Sequence, residues 1–150
     1  KDIADVFEIR ASLEGLAAGL AAERITSGEL EEMERLLVEK GEAIAKNDIN
    51  QLVEVDTKFH EAIYRASRND RLSSIISNLR EQIQRFRSTS LSYPGRMKES
   101  LEEHRAIVDA INSRDIQLAR QLSQEHIENA ENIMIECLKR DGLAAEKVGE

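Results

Sequence analysis

Residues 52–63 read Leu-Val-Glu-Val-Asp-Thr-Lys-Phe-His-Glu-Ala-Ile, with apolar residues recurring at intervals of three and four. This spacing is typical of an α-helix that buries one face. The apolar residues on that face are Leu52, Val55, Phe59 and Ile63. Asp56 and His60 share the face and lie one helical turn apart. Because an unpaired buried carboxylate is costly, both side chains require partners from elsewhere in the chain.

The chain contains only three histidines, and each lies on a predicted inner face of a helix. His104 follows Leu101 at helical spacing, and His126 follows Leu122. A single histidine in such a position is more often a core residue that hydrogen-bonds a carbonyl group. Three of them with one aspartate form a ligand set that suits Zn, Ni, Fe or Cu. The predicted metal ligands are Asp56, His60, His104 and His126.

The residues leave the role of this metal open. Four protein ligands can close a tetrahedral zinc site that is purely structural. An ion that prefers five or six ligands keeps positions for water or a small molecule. A metal-dependent hydrolase would also need a general base near the ion, and the sequence singles out no glutamate for that task. We therefore predict a binding protein and not an enzyme.

Three polar residues are candidates for binding a small carboxylate beside the metal. Arg10 or Arg87 can balance its negative charge. Asn129, one turn after His126, can orient it. The arginines also have ordinary explanations, since Arg10 can pair with Glu14 and Arg87 can keep its charge in solvent beside a buried stripe.

Composition restricts the class of protein. The chain has 150 residues, 41% of them hydrophobic and 33% charged, with a single proline, which predicts one all-α domain over residues 1–150. The net charge of −8 argues against direct nucleic-acid binding, because phosphate contacts require a basic patch. One cysteine, Cys137, cannot form an intramolecular disulfide, which favours a reducing cytoplasm. No stretch is long and apolar enough to predict a membrane span or a signal peptide.

Hydrophobic periodicity and capping residues predict six helices in an antiparallel bundle. Thr26 and Glu29 form a capping box, and Asp48 and Asp115 are predicted N-caps. The predicted helices cover about 2–24, 26–46, 48–67, 72 to between 88 and 91, 96–112 and 115–140. The Glu and Lys residues of the second helix are predicted to form a solvated face.

Two segments are predicted to lie outside the helices. Residues 88–96 contain Pro94-Gly95 and are predicted to form the main loop. Asp141-Gly142 is predicted to end the last helix, and residues 143–150 are predicted to be frayed.

Several motifs together resemble the C-terminal effector-binding (FCD) domain of GntR-family transcriptional regulators of the FadR type. The motifs are Val55-Asp56-x-x-Phe59-His60-x-x-Ile63-x-x-Ala66-x-x-Asn69, Pro94-Gly95-Arg96, Ser100-Leu101-x-Glu103-His104-Arg105-Ala106-Ile107, Ala110-Ile111, Asp115 with Ala119, and His126-Ile127. The resemblance covers nearly the whole chain. It implies an antiparallel bundle of six or seven helices.

The resemblance also carries expectations about function. In the metal-binding branch of this family, an aspartate and three histidines that match Asp56, His60, His104 and His126 hold a divalent ion, often Zn or Ni. A small carboxylate metabolite then reaches the metal and changes DNA affinity. Family members are homodimers, and their DNA contacts come from a separate N-terminal winged helix-turn-helix domain. That domain is absent here, so the resemblance implies that this chain is part of a longer regulator.

Overall fold

The structure is a computed structural model that describes residues 2–140. Seven α-helices and one 3₁₀ turn make up this part of the chain, which confirms the all-α prediction. The helices are α1 (Asp2–Arg24), α2 (Ser27–Lys46), α3 (Ile49–Ser67), α4 (Asp70–Glu81), α5 (Arg87–Leu91), α6 (Arg96–Asn112) and α7 (Ile116–Arg140), and the 3₁₀ turn is Gln84–Phe86.

Side-chain caps begin several of the helices where the sequence predicts them. The Thr26 hydroxyl accepts a hydrogen bond from Glu29 N, and the Glu29 carboxylate accepts one from Thr26 N. Asp48 caps α3 through Gln51 N, and Asp115 accepts from Leu118 N at the start of α7. Each cap satisfies a backbone N–H that has no partner within its own helix.

Two glycines bring the backbones of α1 and α7 close together. A Cβ atom at Gly15 would lie 2.6 Å from Gln124 Cγ and 3.1 Å from the Arg120 carbonyl oxygen. A Cβ atom at Gly19 would lie 3.4 Å from Ile116 Cγ2. Since later residues of α1 meet earlier residues of α7, these two helices are antiparallel.

The carboxyl end of α1 is capped by a distant guanidinium. Arg114, which follows α6, donates to the carbonyl oxygens of Ala22 at 3.1 Å, Glu23 at 3.3 Å and Ile25 at 2.8 Å. These are carbonyl groups that a helix end leaves without intrahelical donors. A favourable charge interaction with the helix dipole adds to the bonds. Arg114 therefore fixes the end of α1 to the α6–α7 connection.

The apolar core consists of two main clusters with the predicted polar residues between them. The larger cluster includes Phe59 on α3 and Ile107 on α6, and the smaller one includes Phe7 on α1 and Met134 on α7. Phe59 stacks on the ring of His104, with centroids 4.1 Å apart. Phe7 and Met134 line a cavity that also touches His60. The fold thus places the histidines at the junction of both clusters.

The prediction of one continuous helix from residue 72 to about residue 90 was wrong. Helix α4 ends at Glu81, and α5 overlaps the segment 88–96 that was predicted to be a loop. Ser90 Oγ bonds the Phe86 carbonyl oxygen, and Ser92 Oγ bonds that of Ser88. Hydroxyl groups that compete for backbone carbonyls in this way weaken long helices. The serines therefore help to end α5 at Leu91, whereas they lie downstream of the break that follows Glu81.

Two predictions concern other parts of the chain. The predicted stop at Asp141-Gly142 and the frayed segment 143–150 lie outside the described residues. Among residues 2–140, no helix is both long and apolar enough to cross a membrane.

We predict that Gly15→Ala destabilises the domain, although alanine favours helix by about 1 kcal/mol. The new methyl group meets the Arg120 carbonyl, and overpacking of this kind costs about 1 to 3 kcal/mol. Gly41→Ala in α2 is the matched control, because its Cβ would lie 3.9 Å from Leu101 Cδ2, which is ordinary contact. Urea unfolding should show a lower free energy of unfolding for Gly15→Ala and a higher one for Gly41→Ala, each compared with wild type. Equal gains would contradict the close α1–α7 approach.

Candidate functional site

The three histidines converge although they come from three helices. His60 lies on α3, His104 on α6 and His126 on α7, and all are buried. Each offers a ring nitrogen within 4.8 Å of the other two. The closest pair is His104 Nε2 and His126 Nε2, 3.1 Å apart. A cluster that the sequence predicts from spacing alone is therefore present in space.

Asp56 lies beside these histidines. Its Oδ2 atom is 3.8 Å from His60 Nε2, and its Oδ1 atom is 3.9 Å from His104 Nε2. The same carboxylate accepts hydrogen bonds from two buried cations, Lys40 Nζ at 3.2 Å and Arg87 Nη2. Arg87 also donates to Thr57 Oγ1 at 2.7 Å. Asp56 is thus fully engaged with positive charge.

A continuous series of hydrogen bonds runs from Lys40 to Glu103. Lys40 Nζ is 2.9 Å from His104 Nδ1 and 2.7 Å from Ser100 Oγ. Because an ammonium has no lone pair, His104 Nδ1 accepts from Lys40, and His104 Nε2 then carries the proton that it donates to His126 Nε2. His126 Nδ1 in turn donates to Glu103 Oε1 at 2.6 Å. All of these groups are satisfied with both imidazoles neutral.

Burial and charge act in opposite directions on the ionisable groups. Burial lowers the pKa of His60 to about 4, although Glu14 and Asp56 oppose this shift. Burial also lowers the pKa of His104 and of His126, and the Lys40 charge adds to the shift at His104. The histidines are therefore neutral near pH 7, the protonation state in which imidazole binds a metal.

The pKa values of two buried acids, Asp56 and Glu103, are lowered, which favours their charged form. Burial by itself would raise the pKa of Asp56, but Lys40, His60 and Arg87 hold it well below its usual range. Hydrogen bonds from His126 and Arg96 similarly lower the pKa of Glu103 to about 2 against the effect of burial. Both groups are carboxylates near neutral pH.

Three of the four predicted ligands, His60, His104 and His126, form a group that could hold a metal ion, and Asp56 lies beside it. Ligand atoms at about 2.1 Å from one ion are separated from each other by about 3 to 3.5 Å. The 3.1 Å between His104 Nε2 and His126 Nε2 matches this separation, whereas Asp56 at 3.8 and 3.9 Å would have to approach the histidines. Glu103 orients His126 through its other ring nitrogen, as carboxylates commonly do for histidine ligands. Lys40 is the opposing feature, because its ammonium already binds Asp56 Oδ1, while its contact with His104 is to Nδ1 and not to Nε2.

A cavity of about 60 Å³ opens beside the ligands. Asp56, His60 and His126 line one part of it, and the rest combines arginines with apolar side chains. The arginines that line it are Arg10, Arg80, Arg87 and Arg96. All four are buried, at 3 to 9% exposure. Such a wall of guanidinium groups is suited to an anion.

The structure places the three candidate effector residues differently. Arg10 lines the cavity and also forms the ion pair with Glu14, at 2.8 Å. Arg87 lines the cavity and is buried instead of extending into solvent. Asn129 is exposed, donates to Glu103 Oε2 at 2.9 Å and does not line this cavity. Its position suits the support of Glu103 better than contact with a ligand.

Four polar residues of the site, Lys40, Arg80, Arg96 and Glu103, were not among the predicted site residues. Lys40 was assigned to a solvated face, which was wrong, since it is only 1% exposed. A signal existed, because Lys40 follows Met33 and Leu36 at helical spacing. Glu103 and Arg80 carried no comparable signal, because charged residues beside an apolar stripe are usually solvated.

Comparison with known proteins identifies a family. Residues 5–129 match the FCD domain. The galactonate operon transcriptional repressor of Escherichia coli is 35% identical over 123 residues, which are 79% of this chain and 52% of that protein. The transcriptional regulator LutR of Bacillus subtilis is 27% identical over 139 residues, which are 89% of this chain and 63% of that protein. The chain spans about half the length of most curated relatives that it matches.

Solved structures agree with this assignment. McbR/YncC of E. coli superposes with a TM-score of 0.78 at 26% identity, covering 88% of this chain and 67% of that one. A GntR protein of Streptococcus agalactiae superposes with a TM-score of 0.75 at 27% identity, covering 87% of this chain and 58% of that one. The relatives are regulators, which confirms the prediction that the chain is not an enzyme. The chain belongs to the FCD domain family, the helical ligand-sensing domains of GntR-family transcriptional regulators.

Proposed function

We propose that this domain binds a divalent metal, Zn or Ni, through Asp56, His60, His104 and His126, and that a small carboxylate effector binds next to it. The observation that supports the metal is the convergence of three buried, neutral imidazoles within 4.8 Å. Buried imidazoles seldom cluster without either hydrogen-bond partners or a cation to hold. His60 Nδ1 lies 3.6 Å from Glu14 Oε1, so Nε2, 3.8 Å from Asp56 Oδ2, is the His60 atom on the side of the proposed ion.

The cavity supports a carboxylate as the effector. It connects three of the predicted metal ligands, Asp56, His60 and His126, with Arg10 and Arg87. Guanidinium groups bind carboxylates through paired hydrogen bonds. The relative named for a galactonate operon supports a sugar acid as the class of effector. In such a compound one carboxylate and neighbouring hydroxyl groups can bind the ion together, since hard oxygen donors complete its coordination.

The proposed consequence is a change in DNA binding by a separate N-terminal domain. An effector that prefers one arrangement of the helices shifts the population toward it, by as much as its difference in affinity between the two arrangements. The acidic charge of this chain is consistent with DNA contacts made elsewhere in a longer regulator.

The first test combines metal analysis with ligand-induced stabilisation. We expect purified protein to contain stoichiometric Zn or Ni, and His104→Ala to lose most of it. Galactonate at a hundredfold excess over its Kd should stabilise the metal-loaded domain by about 2.7 kcal/mol. Chelator-treated wild type is the matched control, because it removes the ion and keeps every side chain. Thermal shift and elemental analysis provide the measurements.

The outcomes separate three functions. Absence of bound metal after purification without chelators would refute the proposed metal centre. Metal removal that unfolds the domain, with no carboxylate that stabilises it, would instead indicate a structural zinc site. Turnover of a bound compound would indicate an enzyme.

Lys40 provides a second test of the metal centre. We predict that Lys40→Met raises metal affinity about tenfold or more, because the ammonium no longer competes for Asp56. The free energy of unfolding of the metal-free domain should fall by about 1 to 3 kcal/mol in this variant, since Asp56 loses a buried partner. Competition with a chromophoric chelator measures the affinity. Lys58→Met is the control, because Lys58 is exposed and contacts only Glu54 at 3.4 Å. Unchanged or weaker affinity in Lys40→Met would contradict the proposed site.

We also propose that the domain forms a homodimer. Ile9 on α1 and Ile75 on α4 are each 51% exposed, and these two helices contact one another. Large apolar side chains on neighbouring helices are suited to a subunit interface.

The dimer is tested by light scattering coupled to gel filtration. We expect wild type to elute as a dimer and Ile9→Glu with Ile75→Glu to give a monomer, because a buried unpaired carboxylate is costly. Val38→Glu is the control, since Val38 is 63% exposed and lies on α2. A dimer that survives the paired change would place the interface elsewhere.

A further inference from the structure

Arg80 differs from the other buried cations around the cavity. Its side chain is 6% exposed, and its Nε and Nη2 atoms are buried without a hydrogen-bond partner among the described residues. Arg80 lines the same cavity as Asp56 and His60. A guanidinium that is removed from water and left without an acceptor is costly, so its position calls for an explanation.

The neighbouring cations each have a carboxylate partner. Arg10 pairs with Glu14 at 2.8 Å, and Arg96 pairs with Glu103 at 3.0 Å. Lys40 and Arg87 share Asp56. Arg80 is the buried cation at the cavity for which residues 2–140 supply no hydrogen-bonded acid.

Glu14 does not meet this requirement. Its two carboxylate oxygens accept from the Tyr64 hydroxyl at 2.9 and 2.8 Å, and one also accepts from Arg10 Nε. The Arg10 charge keeps the pKa of Glu14 well below its ordinary value despite burial, so the acid is ionised and already paired. The environment of Arg80 thus contains negative charge nearby but no acceptor within hydrogen-bonding distance.

The balance of charge around the cavity points in the same direction. In the described part of the chain, the buried cationic side chains at or next to the cavity outnumber the carboxylates that contact them. The cations are Lys40, Arg10, Arg80, Arg87 and Arg96, and the carboxylates are Glu14, Asp56 and Glu103. A divalent metal would add two further positive charges. One carboxylate on a ligand leaves this excess only partly neutralised.

We infer that the effector carries two acid groups, one that binds at the Asp56–His60 end of the cavity and a second that binds the guanidinium of Arg80. This inference rests on the proposed function and narrows its ligand to a dianion. The second group is an oxyanion, either a carboxylate or a phosphate, because both accept paired hydrogen bonds from arginine.

Matched acids test the inference, because each pair differs only at the end remote from the metal-binding carboxylate. Galactarate replaces the terminal CH₂OH of galactonate with a carboxylate, and tartronate does the same for glycerate. Two chain lengths are needed, because a cavity of about 60 Å³ holds only a few water molecules and a six-carbon acid requires its lining side chains to move. Gluconate and 6-phosphogluconate form the third pair, which tests phosphate as the second group.

We expect titration calorimetry on the metal-loaded chain to show at least one diacid binding about tenfold or more tightly than its monoacid. Arg80→Met should reduce that preference to less than about threefold while the monoacid keeps its affinity. Arg71→Met is the control, because Arg71 lies on the same helix and is exposed. It should leave the preference unchanged.

A stability measurement keeps the test independent of any one ligand. Without ligand, Arg80→Met should melt at the same temperature as wild type or higher, because it removes a buried cation that lacks an acceptor. A clear loss of melting temperature would mean that Arg80 has a structural role and would overturn the inference.

The binding results distinguish failure of the second acid group from failure of the proposed carboxylate sensor. If monoacids bind as tightly as diacids, the carboxylate sensor stands and the second acid group is refuted. If no acid of either kind binds, the sensor and the inference both fail.

Discussion

The charge of Asp56 is the constraint on which the interior depends. This carboxylate is removed from water, and it stays ionised because Lys40 and Arg87 donate to it. Each of those cations is buried for the same reason, since neither could leave water without the carboxylate. Removal of Asp56, Lys40 or Arg87 would leave unbalanced charge in the protein interior, where an unpaired charge costs much free energy. Helices α2 and α3 and the short α5 are therefore joined by electrostatics as well as by apolar packing.

The histidines add a second layer to this arrangement. They lie where the two apolar clusters meet, and Phe59 stacks against His104 while Glu103 holds His126. The orientations of His104 and His126 are thus fixed by packing and by hydrogen bonds within the protein. A site held in this way loses little conformational entropy on binding. The same preorganisation extends to the cavity wall, where the guanidinium groups of Arg87 and Arg96 are held by Asp56 and Glu103.

The sequence predicts this site unevenly, and the reason is physical. His60, His104 and His126 stand out because imidazole on an apolar helical face is uncommon, and helical spacing suffices to place them inward. Helix bounds follow from caps such as Thr26 and Asp48, where local hydrogen bonds decide the structure. Arg80 and Glu103 are not predictable in this way, because the burial of a charge depends on partners that only the tertiary fold supplies. Lys40 carries a helical-spacing signal, but its partners Asp56 and His104 are likewise known only from the fold. The end of α4 at Glu81 is likewise not predicted, because the apolar pattern of the sequence continues past it through Ile83 and Phe86.

The ammonium of Lys40 is a cation that the fold carries with it. A diffusing ion is present in proportion to its concentration in the surroundings, whereas a side chain anchored on α2 is held next to Asp56 and His104 regardless of supply. The carboxylate of Asp56 consequently has a positive partner that belongs to the fold itself. Helices α2 and α3 keep this electrostatic link whatever ions surround the domain.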